Sequence, residues 1–154
     1  MKYQIFEPKQ NFRFKMQISK IPSAITTVHM TDFPTVDNSE TVVEQFNYQF
    51  YVKGKTKWNE ISINIYDPIQ PNLAKELYSW QMEHHSADGR VDQYATTMYA
   101  TVFLFDVDPT GVPVNGWQLM ECYAKDVDWG KGDWSSEEVK DITLTLRYNG
   151  AILV

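Results

Sequence analysis

Apolar and polar residues alternate along most of this chain. Phe12, Phe14, Met16 and Ile18 alternate with Arg13, Lys15, Gln17 and Ser19, the pattern of a strand with one buried face. Pro22 follows, and a second short segment covers about 24–30. Between 42 and 52 the even positions carry Val42, Phe46, Tyr48, Phe50 and Val52, with Glu44 breaking the apolar series. The odd positions carry Val43, Gln45, Asn47, Gln49 and Tyr51. Gly54 sits in the basic stretch Lys53, Lys55, Lys57, where a turn is expected. Ile61, Ile63 and Ile65 then alternate with Glu60, Ser62 and Asn64. Together these segments predict a long hairpin with one apolar face and one face of amides and hydroxyls.

At 72–85 the period changes. Leu73, Leu77, Trp80 and His84 recur at spacings of four, three and four, which places them on one face of a helix. Pro71 suits a first helical position, and Asp88-Gly89 suits a stop. After the helix, 94–107 is nearly continuous in strand-forming residues. Asp108-Pro109-Thr110-Gly111 marks a turn, and 117–127 reads as a further strand. A polar loop begins at Gly130. A last strand alternates Ile142, Leu144, Leu146 and Tyr148 against Asp141, Thr143, Thr145 and Arg147. The prediction is a mainly β, antiparallel barrel or sandwich, with one α-helix on its flank and a long hairpin. Its expected core is Phe46, Tyr48, Phe50, Ile61, Ile63, Ile65, Leu73, Leu77, Trp80, Trp117, Leu144 and Leu146.

Composition narrows the function. The 154 residues suit one domain, and a 43% hydrophobic, 14% aromatic chain has enough material for a core. The single cysteine, Cys122, cannot form an intrachain disulfide and reads as a small buried residue. The first ten residues show no signal-peptide pattern, and no apolar run approaches the roughly 18 residues that span a bilayer. Membrane insertion is therefore not expected. Fourteen basic against 20 acidic residues give a net charge of −6. Such a chain is not expected to grip a phosphate backbone, because that affinity comes from Lys and Arg.

Candidate chemistry is sparse. His84 and His85 stand beside Asp88, but adjacent helical residues point about 100° apart, and the third histidine, His29, is distant in sequence. No metal site is expected. Asp106, Asp108, Glu121, Asp126, Asp128, Asp133, Glu137 and Glu138 lie mostly in turns or at strand ends, where solvated acids are ordinary. There is no phosphate-binding glycine loop, no nucleophile elbow and no zinc-spaced cluster. Neither a catalytic residue nor a cofactor is expected. Five tryptophans are many for this length. Trp58, Trp80 and Trp117 fall inside elements and suit the core. Trp129 and Trp134 flank a glycine-rich loop and suit an interface, where tryptophan is enriched.

The segment Asp108-Pro109-Thr110-Gly111-Val112-Pro113, followed by Trp117 and Leu119, resembles the D-x-T-G-x-P-x-x-x-W-x-L turn of contractile-tail bacteriophage tube proteins. Asp126-Val127-Asp128-Trp129-Gly130, Glu138 and Leu144-Thr145-Leu146-Arg147-Tyr148 are similar to that family's closing strands. The upstream order agrees: an early strand and a proline, a long hairpin closing on Trp58, Asp67-Pro68, then one helix. The resemblance covers about 11–150. Residues 1–10 match nothing in it and suit either an arm reaching a neighbour or an end that frays.

The resemblance implies a structural role, in hexameric rings stacked into a hollow tube within a sheath. Its partners would be copies of itself, a tail sheath protein, baseplate or initiator proteins and a tail terminator. DNA would pass through the channel without specific binding. The location implied is a virion tail, assembled in the host cytoplasm. Related tubes serve type VI secretion and other contractile injection systems, and some baseplate initiators share the fold. On this reading Gln45, Asn47, Gln49, Glu60, Ser62 and Asn64 face the lumen, with Glu60 adding negative charge to it. Lys53, Lys55 and Lys57 would sit at the hairpin tip and, with Trp129 and Trp134, meet other subunits. Two readings of other classes compete, a carbohydrate-binding β-sandwich using exposed tryptophans and a hydrolase on a β-barrel.

Overall fold

The computed structural model describes residues 5–84 and 94–154. The chain begins with strand β1 (Phe14–Ile18), a one-turn helix α1 (Ala24–Thr27) and strand β2 (Val28–Thr31). The hairpin strands β3 (Val36–Gln45) and β4 (Tyr48–Trp58) follow, then β5 (Ile61–Tyr66) and the main helix α2 (Leu73–Met82). A short helix α3 (Ala95–Met98) precedes β6 (Ala100–Val107), β7 (Pro113–Asp128), β8 (Asp141–Arg147) and β9 (Gly150–Leu153).

Seven strands form one antiparallel sheet in the order β1-β6-β7-β8-β5-β2, with β9 also paired to β7. β7 organises it. The first part of this 16-residue strand pairs with β6 and β9, and its last part pairs with β8. Glu121 takes a positive φ of 53°, and the registers shift near it and again between Ala124 and Asp126. Such bulges bend a strand and increase its twist. Both parts of the sheet then feed one core. Met16, Ile18, Val102, Leu104 and Leu119 come from one part, and Ile61, Ile63, Ile65, Ile142, Leu144 and Leu146 from the other. Among the described residues the sheet does not close into a barrel. Its ends are β1 and β2, joined in sequence through α1, which packs on β1 and β5.

The α2 helix forms where its spacing predicts. The Asn72 side chain caps it by accepting from the Lys75 backbone N–H at 3.2 Å. Leu73, Leu77 and Trp80 are buried, and the Trp80 indole donates to the Met98 carbonyl at 2.8 Å. Pro71 lies one residue before the cap rather than inside the helix. The predicted stop at Asp88-Gly89, with His85, lies outside the described residues. The stretch expected to be one strand from 94 starts instead with α3. No helix among the described residues is long and apolar enough to cross a membrane.

The sequence pattern misplaces the hairpin. Its turn is at Phe46 and Asn47, with Gln45 opposite Tyr48, and not in the basic stretch at Gly54. Gly54 lies within β4 at a bulge, where Ser39 on β3 faces it. A Cβ there would run into the Ser39 side chain and backbone, so the close approach itself requires glycine. β5 is not the hairpin's second arm: it pairs with β2 and β8 in the main sheet.

Candidate assembly surface

The β3–β4 hairpin stands apart from the core. Every residue of β3 is exposed, as is every residue of β4 except Trp58. Pairing puts Gln45 with Tyr48, Val43 with Phe50, and Thr41 with Val52 on one face. Tyr48 and Phe50 add an aromatic contact at 6.4 Å between centroids. The other face carries Glu44 with Gln49, Val42 with Tyr51, and Glu40 with Lys53. Phe46, Tyr48 and Phe50 are therefore not core residues. Phe46 is 103% exposed at the tip, with φ at 53°. The two-residue turn takes Phe46 and Asn47 out of the strand alternation, so positions 42–52 cannot share one periodic face. A bulky residue with positive φ is uncommon and costs conformational energy.

Among the described residues, the hairpin's side-chain and backbone ties to the rest of the fold lie at its root. Asn59 donates its backbone N–H to the Thr35 carbonyl at 3.0 Å and its amide to Asp37 at 2.8 Å. The Trp58 ring lies 6.0 Å from that of Tyr148. Lys53, Lys55 and Lys57 occupy the root half of β4, so they are not tip residues. An isolated two-stranded hairpin is marginal in water. Exposed Val42, Val43, Tyr48, Phe50, Tyr51 and Val52 give this one an apolar surface open to solvent, the kind of patch that marks a candidate interface.

A second surface is the polar side of the β5–β8–β7 region. Ser62 lies opposite Thr145, and Asn64 opposite Thr143, whose hydroxyl donates to the Asn64 carbonyl oxygen at 3.2 Å. Thr145 and Thr143 pair in turn with Asp126 and Asp128. Glu60 sits at the edge of this region. It accepts from Lys125 Nζ at 2.8 Å and from Arg147 at 3.1 Å. The Lys125 hydrogen bond, helped by the charges of Lys125, Arg147 and Lys57, holds its carboxyl below the ordinary value. Glu60 is thus a neutralised acid rather than a free one. Gln45, Asn47 and Gln49 belong to the hairpin and do not pair with Glu60, Ser62 or Asn64. Threonines 143 and 145 were legible as the polar alternates of the last strand.

Of the tryptophans, Trp80 is buried, and Trp58, Trp117 and Trp129 pack partly buried against the core. Trp129 is thus more a core-edge residue than a free anchor. Trp134 is 106% exposed. Ile5 and Phe6 are exposed, while Lys9 reaches Asp106 at 3.5 Å.

The acids have local work. Asp108 accepts from the Thr110 hydroxyl at 2.7 Å and from the Thr110 and Val112 backbone N–H groups at 2.9 Å, which lowers its pKa, the hydroxyl contributing most. With Gly111 at φ 88°, this accounts for the aspartate, threonine and glycine of the turn motif as a folding device. Asp133 makes the same kind of turn with Ser135. Burial pushes the Cys122 thiol up to about 12. His84 meets Met98 Sδ at 3.2 Å, and His29 meets Asp141 at 3.4 Å. Among the described residues no three His, Cys, Asp or Glu side chains gather to hold a metal.

No family model and no curated protein matches this chain. Solved structures do. A chain in the structure of the sheath/tube terminator of the extracellular contractile injection system PVC aligns with a TM-score of 0.79 at 11% identity, over 98% of this chain and 99% of that one. A chain in the anti-feeding prophage tube-terminating cap gives 0.78 at 11% identity, over 100% and 95%. One in the six-fold symmetrised anti-feeding prophage baseplate gives 0.74 at 14% identity, over 97% of each. At such identities the likeness establishes a common fold: the chain is built as components of contractile injection systems are.

Proposed function

We propose that this chain is a non-catalytic structural subunit of a phage contractile tail tube, forming six-membered rings that stack around a channel for the genome. The observation that carries this is the β3–β4 hairpin, whose apolar side chains lie exposed in the single subunit. Fold likeness to components of a six-fold symmetrised baseplate and of tube-terminating caps supports the same reading. A sheath, a baseplate or initiator protein and a terminator would be its partners in a virion tail assembled in the host cytoplasm. The same surfaces would serve a tube-like baseplate initiator or an injection-system tube.

The polar face of Ser62, Asn64, Thr143 and Thr145 would line the channel. Uncharged hydroxyls and amides offer a phosphate backbone no strong partner, so DNA would slide past. Head-to-tail contacts that close laterally and repeat axially give such a tube. The test is mass measurement on purified protein across a concentration series, with negative-stain microscopy. Rings or tubes are expected. A chain that stays at its 18.0 kDa monomer mass at every concentration, even with baseplate proteins added, would sink the proposal.

A further inference from the structure

The hairpin is electrically polarised across its width. All its acids, Asp37, Glu40 and Glu44, lie on β3, and all its bases, Lys53, Lys55 and Lys57, lie on β4. Each strand pairs only with the other, so each presents one open edge. Across the hairpin Asp37 faces Lys57 and Glu40 faces Lys53, yet among the described residues no hairpin lysine comes within ion-pairing distance of a carboxylate. Asp37 and Glu44 instead accept from the neutral amides of Asn59 and Gln49, at 2.8 and 3.0 Å.

We infer that the acidic β3 edge of one copy pairs with the basic β4 edge of the next, so that the hairpins join edge to edge around the ring. The inference rests on the tube reading and adds what selects and orients the lateral partner. Rotation about a ring axis keeps every hairpin pointing the same way. β3 of one copy then meets β4 of its neighbour running in the opposite direction, as an antiparallel ladder requires. The strands match in length, at 10 and 11 residues. Lys57 and Lys53 already lie opposite Asp37 and Glu40 within one hairpin, and the closed ladder brings a second row of carboxylates to the open side of the lysine strand. A two-fold dimer through the same edges would set β3 against β3 or β4 against β4, placing like charges together, which is unfavourable. The charges therefore select the head-to-tail contact that closes a ring over the isologous one that stops at two. They also guard the monomer, since charged edges resist random strand addition.

Three full-length variants test this: K53E/K55E/K57E, with an all-acidic hairpin; D37K/E40K/E44K, with an all-basic one; and the six-fold combination, with the charges exchanged. Assembly is read by mass and negative-stain microscopy, at low salt, where the wild type forms rings. Each triple variant alone is expected to assemble at least tenfold less readily than the wild type. Their equimolar mixture should form rings, because unlike edges meet at every contact, and the exchanged chain should form rings alone. Recovery in the mixture also separates lost pairing from lost folding, since mixing cannot repair a broken subunit. If either triple variant assembles alone as readily as wild type, or if neither the mixture nor the exchanged chain recovers, edge pairing by charge is wrong while the tube reading stands. Wild-type protein that never assembles would overturn both.

Discussion

Leu77 and Lys75 are two residues apart on α2 and should answer a truncation very differently. Leu77 is fully buried in the core, and Lys75 is exposed. Leu77→Ala is expected to cost roughly 2–5 kcal/mol, from lost transfer energy and the cavity left behind. Lys75→Ala should stay within about 0.5 kcal/mol of wild type. Denaturant titration decides it, and equal effects would mean that the helix face is wrongly assigned. Glu60 makes a second residue-scale prediction. Its carboxyl pKa is lowered in the fold, chiefly by the Lys125 hydrogen bond. The folded protein therefore binds this proton more weakly than the unfolded chain. The contribution is present above the unfolded value near 4.5 and is lost as pH falls through the folded value. An NMR titration should find the Glu60 midpoint below 4.5, moving upward in Lys125→Met. An unchanged midpoint would show that the ion pair does not hold in solution.

Among the elements, those whose pattern was long and ended cleanly were legible. α2 was readable from Leu73, Leu77 and Trp80 because a helix with one buried face imposes that spacing over several turns. β8 was readable from Ile142, Leu144 and Leu146 because the strand is buried on one side only. The hairpin misled for a physical reason. Its residues are exposed on both faces, so no solvent boundary disciplines the alternation, and Phe46 at φ 53° turns a corner that glycine usually takes. Gly54 pointed to a turn because a bulge with close backbone contact needs the same residue as a turn. α1, α3 and β9, four residues each, are too short for any period to show. The hairpin's independence is testable. Val36 and Trp58 lie opposite each other at its root, so a two-residue turn can replace 37–57. The shortened protein is expected to keep a cooperative unfolding transition, with its core intact, and to lose assembly. Loss of the cooperative transition would mean that the hairpin belongs to the folding unit.

At the scale of the whole molecule the two surfaces differ in chemistry. The hairpin offers apolar area and open edges, which suit contact with protein. The β5–β8–β7 face offers hydroxyls, amides and paired charges, which suit water. On the proposed reading, the first would meet other subunits and the second would face a wet channel. The net charge of −6 would not by itself make a channel lined by this face acidic, because Glu60 is held by Lys125 and Arg147. Asp126 and Asp128 are the exposed acids beside Thr145 and Thr143, so they carry the negative field of that face. Cysteines placed at Asn64 and Thr145 should react with small thiol reagents in both monomer and tube. Reagents too bulky for the channel should reach them in the monomer alone. A cysteine at Tyr78, exposed on α2 away from that face, should react with both reagents in both states. The native Cys122 does not confuse the result, since it is buried and its thiol is pushed up to about 12. Asn64 and Thr145 cysteines that stay open to bulky reagents in assembled tubes would put this face on the outside, and the channel wall would have to be sought elsewhere on the subunit.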